Sequence, residues 1–484
     1  MNNVKYRGKL IFMGGKIEVN DFTLEKIKSF EYEQEGNINF TSIIILTYNK
    51  LEYTKMCIES IRKFTPKNQY EIIVVDNNSS DGTKEWLKKQ KDLKVIYNIK
   101  NEGFPKGCNQ GIKISKGESI LFLNNDTIVT PNWLNNLDKL LYSSDDIGAV
   151  GGISNSCSNG QSIITNYNNF DEMIDLSILI NNQNKLEYIY KTYLVGYCYL
   201  VKKSILDEIG NFDERFTPGN FEDNDLSYRI ISNGYKLLLC QNSYIHHFGS
   251  VSFKLGSQEY YNTYITNLKK LNDKWKFNIV EKSFSTLETT DILNGNKNDK
   301  INILEIGCGI GATYFNMLKL YKNIEYHGIE SLQEAFNISR NFFDVKNINI
   351  ENEDIGFDKN YFDYILLTDK LQGYQNPISI LNKIKKYLKK DVYILTSITN
   401  IMHISKVKEI LFGSNNISGF TANQIQTIFR DSGYKIESMK FKQLQLQKED
   451  MDLVDKICNI TSEDLKNQYL TYEYDIKASK IEGL

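Results

Sequence analysis

Leu121–Thr127 reads Leu-Phe-Leu-Asn-Asn-Asp-Thr, three apolar residues running straight into Asn124, Asn125 and Asp126. An apolar run that stops on short polar side chains predicts a buried parallel strand ending at a site. Ligands of open α/β sheets sit at such carboxyl ends. A carboxylate there suits a divalent metal held against nucleotide phosphates. The plain alternative is a strand and a polar turn, since Asn and Asp are ordinary turn formers. Two more loops have matching chemistry. Asp76 closes the run Tyr70–Val75 and opens the polar loop Asp76–Thr83, where it can accept from a base N–H or from ribose hydroxyls. Asn101-Glu102-Gly103-Phe104, followed by Gly107–Gly111, forms a glycine-rich loop whose backbone can approach a ribose or pyrophosphate closely.

Three more clusters carry candidate chemistry. Glu222, Asp223 and Asp225 stand at a predicted helix start; taken alone they complement the helix dipole. His246 and His247 follow the predicted strand Leu237–Cys240, and a buried pair bonded to carbonyls is the bland alternative. Glu305, Gly307, Gly309 and Gly311 lie where an apolar strand turns into glycines, and Glu330 ends the next predicted strand, at a spacing suited to ribose hydroxyls.

The elements that must position these residues alternate. Strands are predicted over Ser42–Thr47, Tyr70–Val75, Leu93–Tyr97 and Ser119–Leu123. Between them fall helices over Thr54–Phe64, through Trp86 and Leu87 (capped by Ser80 or Asp81), and over Asn109–Ser115. That alternation predicts a parallel α/β sheet. Gly151–Asn159 reads as a flexible loop near the site, and Tyr193–Val201 as an apolar run with Gly196 at a close backbone approach to a ligand. A helix over Tyr260–Trp275 closes this domain. A second series opens at Ile301, with runs at Glu325–Ile329, Asn347–Glu351 (leading to Asp354), Phe362–Leu367, Val392–Ser397 and Leu470–Ala478. The expected division is an extension over 1–40 with no assigned chemistry, a domain over 41–278, a polar linker over 279–300 and a domain over 301–484.

At 484 residues the chain exceeds one typical core. A net charge of −2 gives no pull toward nucleic acid. The seven Cys are scattered singly, without metal-ligand or disulfide spacing, which suits a reducing cytoplasm. No apolar run reaches membrane-spanning length, so any membrane contact is expected to be peripheral, at the inner face.

Ile45-Leu46-Thr47-Tyr48-Asn49, Val74-Val75-Asp76 with its polar loop, Asn101–Phe104 and Leu123-Asn124-Asn125-Asp126-Thr127 together resemble the inverting family 2 glycosyltransferases, over about residues 41–275. The resemblance implies the GT-A nucleotide-sugar-binding fold, a nucleotide diphosphate sugar donor and a divalent metal, Mn or Mg. It places Thr47 and Asp76 at the nucleobase pocket, Tyr48, Asn101 and Gly103 on the donor, and Asp126 at the metal-binding end of an Asp-x-Asp-type motif. Asn124 stands in that motif's first position, so one carboxylate replaces two and a further ligand is needed; the resemblance favours His247 over His246. Phe221-Glu222-Asp223-Asn224-Asp225 matches the family's acidic motif, which implies Asp223 as general base, with Glu222 and Asp225 orienting the acceptor or holding the loop.

The Glu-x-Gly-x-Gly-x-Gly form at Glu305–Gly311 resembles class I S-adenosylmethionine-dependent methyltransferases. By that resemblance Glu305 and the three glycines cradle the methionine part, Glu330 binds the ribose and Asp354 lies near the adenine. Where relatives carry Leu-Glu-His, this chain has Leu371-Gln372-Gly373-Tyr374, so no general base is evident. The expectation is a cytoplasmic enzyme that glycosylates a hydroxyl of a glycan, glycolipid or protein acceptor, with a Rossmann-like second domain that methylates the sugar. The alternative is a nucleotide-sugar-binding scaffold whose second domain is structural or a docking module.

Overall fold

The computed structural model describes residues 15–34, 36–249, 257–285, 300–414 and 417–481. The chain divides into two compact units between Phe277 and Asn278. Among the described residues no helix is long and apolar enough to cross a membrane.

The first unit is built on nine strands among the described residues. They are β1 (Thr41–Thr47), β2 (Tyr70–Asp76), β3 (Leu93–Tyr97), β4 (Ser119–Asn124), β5 (Thr127–Ile128), β6 (Ile147–Ser154), β7 (Tyr188–Lys191), β8 (Cys198–Lys202) and β9 (Lys236–His247). Their order is β3-β2-β1-β4-β8-β6-β9-β5, with β7 also paired to β9. β1 pairs in parallel with β2 and β4, and β8 pairs antiparallel to β4. The expected βαβ alternation is therefore the amino-terminal half of the sheet. The stretch 17–38, expected to be an extension, joins this core: Ile17, Leu24, Ile27 and Ile38 are buried in it, and the Phe30 ring lies 5.8 Å from that of Phe64.

Two expectations fail here for one physical reason. The helix predicted from Asn109 begins at Phe104, so Gly107 and Gly111 lie within it and not in a loop. A Cβ on Gly107 would stand 2.6 Å from Leu46 Cδ2, and one on Gly111 2.6 Å from Ile44 Cγ2. The glycines let this helix sit directly on β1. Gly151 and Gly152, predicted in a flexible loop, lie inside fully buried β6, where a Cβ on Gly152 would be 2.9 Å from the Ser243 carbonyl oxygen.

The second unit holds β10 (Ile301–Ile306), β11 (Ile324–Ile329), β12 (Asp344–Lys346), β13 (Phe362–Leu367), β14 (Leu388–Thr399), β15 (Tyr434–Gln443) and β16 (Thr471–Lys480). Their order is β12-β11-β10-β13-β14-β16-β15, parallel up to β14, with β16 antiparallel between β14 and β15. The order reverses beside β10, and such a switch point is where a doubly wound sheet binds its ligand. The third strand ends at Lys346 and does not span Asn347–Glu351. Of the expected linker 279–300, residues 286–299 lie outside the described residues. Residues 278–285 belong to the second unit, with Ile279 and Ser283 buried.

Candidate active site

Strand register assembles the first site. Thr47 pairs with Asp76 across β1 and β2, and Leu46 with Asn124 across β1 and β4, so three polar ends emerge side by side. Asp76 is fully buried and accepts from the Ser79 N–H at 3.2 Å. Thr47 Oγ1 lies 2.9 Å from Thr54 Oγ1, to which the Asn125 amide donates at 3.1 Å. Nothing in the sequence marks Thr54, because a helical Thr gives no functional signal by itself. Gly103 donates its N–H to Asn101 Oδ1 at 2.9 Å. Its φ of +81° and the 2.9 Å from its notional Cβ to Pro218 Cα require glycine. Asp81 accepts from the Leu51 N–H at 3.0 Å and from the Thr83 N–H at 3.2 Å, pinning two helix starts. A hollow of about 670 Å³ opens here, lined by Val19, Asn49–Tyr53 and Asp81; Tyr48 is exposed.

The structure brings Asp126 and His247 together. The two-residue strand β5 pairs Thr127 with His247, and the Phe248 N–H donates to the Asp126 carbonyl. Asp126 Oδ1 and His247 Nε2 stand 3.3 Å apart, both buried. His247 Nδ1 lies 2.7 Å from the Ser156 carbonyl oxygen, which requires the proton on Nδ1 and leaves Nε2 to accept or ligate. The ring stacks on Tyr197, with centroids 5.1 Å apart. Burial opposes a charge on His247, but Asp126 and the Ser156 carbonyl outweigh it and raise its pKa. A pocket that attracts a proton in this way attracts a cation. One carboxylate and one imidazole fit a divalent metal that takes its remaining ligands from a diphosphate. Among the described residues no cluster of three or more His, Cys, Asp or Glu forms a metal site. His246 points elsewhere: its Nδ1 meets the Tyr167 hydroxyl, and burial lowers its pKa to about 3.

The acidic motif occupies the first turn of the helix Glu222–Ser232. Asp223 is partly exposed, and its Oδ2 accepts from the Gly196 N–H at 2.9 Å. The close approach expected at Gly196 is thus to Asp223, 3.4 Å from its notional Cβ to Asp223 Cβ. Burial raises the Asp223 pKa, against the opposing pull of the Gly196 and Asn224 amides. Glu222 is buried with Oε2 unpartnered; burial and the neighbouring Asp223 charge push its pKa well up.

Asp225 points the other way. Fully buried, it accepts from Arg229 Nε at 2.9 Å, Lys274 Nζ at 2.8 Å and Trp275 Nε1 at 3.1 Å, tying this helix to Gln258–Trp275. These contacts are those of holding the fold. Replacing Asp225 by Ala should cost about 3 kcal/mol, because Arg229 and Lys274 are left facing a buried gap. Urea unfolding of the full chain measures this, and a loss under about 1 kcal/mol would remove Asp225 from that role.

In the second unit Glu305, the glycine turn and Glu330 share the carboxyl edge of β10 and β11. Glu305 is buried, accepting from the Tyr326 hydroxyl at 2.8 Å and the Thr368 hydroxyl at 2.9 Å. Gly307, Gly309 and Gly311 all have positive φ, and a Cβ on Gly307 would lie 2.2 Å from Asp369 Cγ. Glu330 accepts from the Gly309 N–H at 2.8 Å and the Leu332 N–H at 2.9 Å. A buried carboxylate beside a glycine turn fits a ribose-bearing cofactor. Asp354 is not brought there: exposed, its carboxylate takes the Tyr387 hydroxyl at 2.7 Å and Lys386 at 3.1 Å. With β12 ending at Lys346, Asp354 lies well past the strand end. Lys282 and Asp369 pair at 2.8 Å beside Glu330, and neither falls in a motif that marks it in the sequence.

Residues 42–210 match the Glycosyl transferase family 2 model, and residues 284–439 match a Methyltransferase domain model. The chain is 28% identical over 208 residues to glycosyltransferase AglE of Haloferax volcanii, covering 42% of this chain and 64% of that protein. It is 24% identical over 322 residues to glycosyltransferase GlyG of Streptococcus pneumoniae, covering 64% of this chain and 97% of that protein. Among solved structures, a mannosyltransferase of Pyrobaculum calidifontis in complex with GDP-Man and Mn2+ aligns with a TM-score of 0.36 at 16% identity, over 50% of this chain and 66% of that one. A SAM dependent methyltransferase of Archaeoglobus fulgidus aligns with a TM-score of 0.31 at 12% identity, over 44% of this chain and 99% of that one. The chain therefore carries a family 2 glycosyltransferase domain over residues 42–210, followed by a methyltransferase domain over residues 284–439.

Proposed function

We propose that the first unit moves a sugar, with inversion, from a nucleotide diphosphate sugar to a hydroxyl of a glycan, glycolipid or protein acceptor. The observation that carries this reading is the 3.3 Å approach of Asp126 to His247 beside the ends of β1 and β2. Thr47, Asp76, Asn101 and Gly103 line the donor side. Asp126 and His247 are the residues that would hold Mn or Mg, which when bound neutralises charge on the departing diphosphate. Asp223 takes the proton of the acceptor hydroxyl as its oxygen bonds to the anomeric carbon; the bond to the diphosphate breaks and its electron pair leaves with phosphate. Asn124, whose amide lies 3.4 Å from His247 Nε2, orients the imidazole only until that nitrogen turns to the metal.

The second unit binds S-adenosylmethionine through Glu305, the glycine turn and Glu330. The turn Leu371–Gly373 brings no acid or imidazole, which favours binding over methyl transfer. The test is donor hydrolysis across a panel of nucleotide sugars, with Mn and then with chelator. One donor should turn over with Mn, and chelation should reduce turnover by about 100-fold or more. Equal turnover after chelation would refute the metal assignment, and binding without turnover of any donor would favour the scaffold.

A further inference from the structure

The segment 278–285 crosses the glycine turn of the second unit and carries Lys282 into it. Lys282 Nζ sits 2.8 Å from Asp369 Oδ1 and 3.7 Å from Glu330 Oε2, bridging the exits of β13 and β11. The strap itself lies on the turn: a Cβ on Gly309 would be 3.1 Å from the Lys282 carbonyl oxygen and 3.2 Å from Lys282 Cδ. It is fastened at both sides, by buried Ile279 and by Ser285 Oγ, 3.1 Å from Thr313 Oγ1. Burial opposes the charge on Lys282, but Asp369 and Glu330 outweigh it and keep the ammonium protonated.

Both Glu330 oxygens already accept backbone N–H groups, and Lys282 stands over one of them. A ribose that hydrogen-bonds to Glu330 meets the ammonium first. We propose that Lys282 is a tethered cation that closes the nucleoside site, and that ligand enters only as Lys282 leaves Glu330 and Asp369. The proposal rests on the reading of the second unit as an S-adenosylmethionine binder. It adds an internal competitor: closure stabilises the empty domain and scales the apparent affinity down to the fraction of molecules that stand open.

The probe is S-adenosylhomocysteine, which has no net charge, so that a gain in affinity is not produced by attraction to the two carboxylates left without Lys282. Calorimetry on the full chain compares the natural protein with K282M, K282Q and K282R, alongside melting of each unliganded protein. K282M and K282Q should bind about ten-fold or more tightly than the natural protein, and the unliganded variants should melt earlier. K282R should keep both properties, because a guanidinium still spans the two carboxylates. A merely structural lysine predicts earlier melting with equal or weaker binding, and that result overturns the gate while leaving the cofactor reading intact. Binding by none of the four proteins at millimolar probe overturns the cofactor reading and the gate with it.

Discussion

Replacing Asp223 by Asn should lower sugar transfer by about 10²- to 10⁴-fold and leave donor nucleotide affinity unchanged. Asn keeps the size, and its one carbonyl oxygen can still accept from the Gly196 N–H at the loss of the bond from the Asn224 N–H. What is lost is the capacity to take a proton. Glu222 provides the contrast. Burial and the neighbouring Asp223 charge push its pKa up and so favour its neutral form. E222Q replaces a neutral acid with a neutral amide, and transfer should fall only about two- to five-fold. The pH profile follows the same logic. A general base works only when deprotonated, so transfer is lost as pH falls through the Asp223 pKa. Burial sets that limb above the ordinary carboxylate value of about 3.9. Initial rates at saturating donor, with nucleotide affinity measured separately by calorimetry, check all three. An Asp223→Asn protein that retains transfer would return the proton chemistry to Glu222.

Strand ends were legible because they are local. An apolar run that breaks into Asp76 or into Asn124-Asn125-Asp126 needs a buried strand and a polar exit, whatever the rest of the chain does. The start at Phe104 was not legible, since Gly107 and Gly111 signal a loop by propensity. Only the contact with Leu46 and Ile44 explains them as helical residues. The edge strand β15 went unseen because most of its residues are at least partly exposed and Lys-rich, so no apolar face marks it. Long-range polar placement was the least accessible. The sequence offers a carboxylate cluster at Glu222–Asp225, but not that Asp225 turns inward to Lys274 and Trp275 while Asp223 faces Gly196. Helical geometry separates residues two apart by about 200°, which requires some such divergence, but which acid faces the site depends on the partner helix. Lys282 was hidden for a similar reason: it lay in a stretch that reads as polar linker, and only its arrival between Asp369 and Glu330 distinguishes it.

Removing either side chain of the Asp126–His247 pair should uncouple the donor from the metal. For D126A, the affinity for the matching nucleoside diphosphate in Mn should fall by about 100-fold or more, because even removing a supporting contact to a metal ligand costs 10- to 100-fold. H247A should fall by a similar factor, since the pair supplies one ligand each and no third His, Cys, Asp or Glu joins them among the described residues. The diagnostic is the metal increment, measured by calorimetry with Mn and again with chelator. In the natural protein chelation should weaken binding; in D126A and H247A the two measurements should coincide. Asn124 offers a test in the opposite direction. Its amide lies 3.4 Å from His247 Nε2, so N124D places a second carboxylate beside the same nitrogen and should tighten Mn-dependent binding by about ten-fold. If His247 served only to pack on Tyr197, H247A would destabilise the unit but keep the metal increment. Loss of the increment with melting within a few degrees of the natural protein therefore separates a ligand from a packing residue.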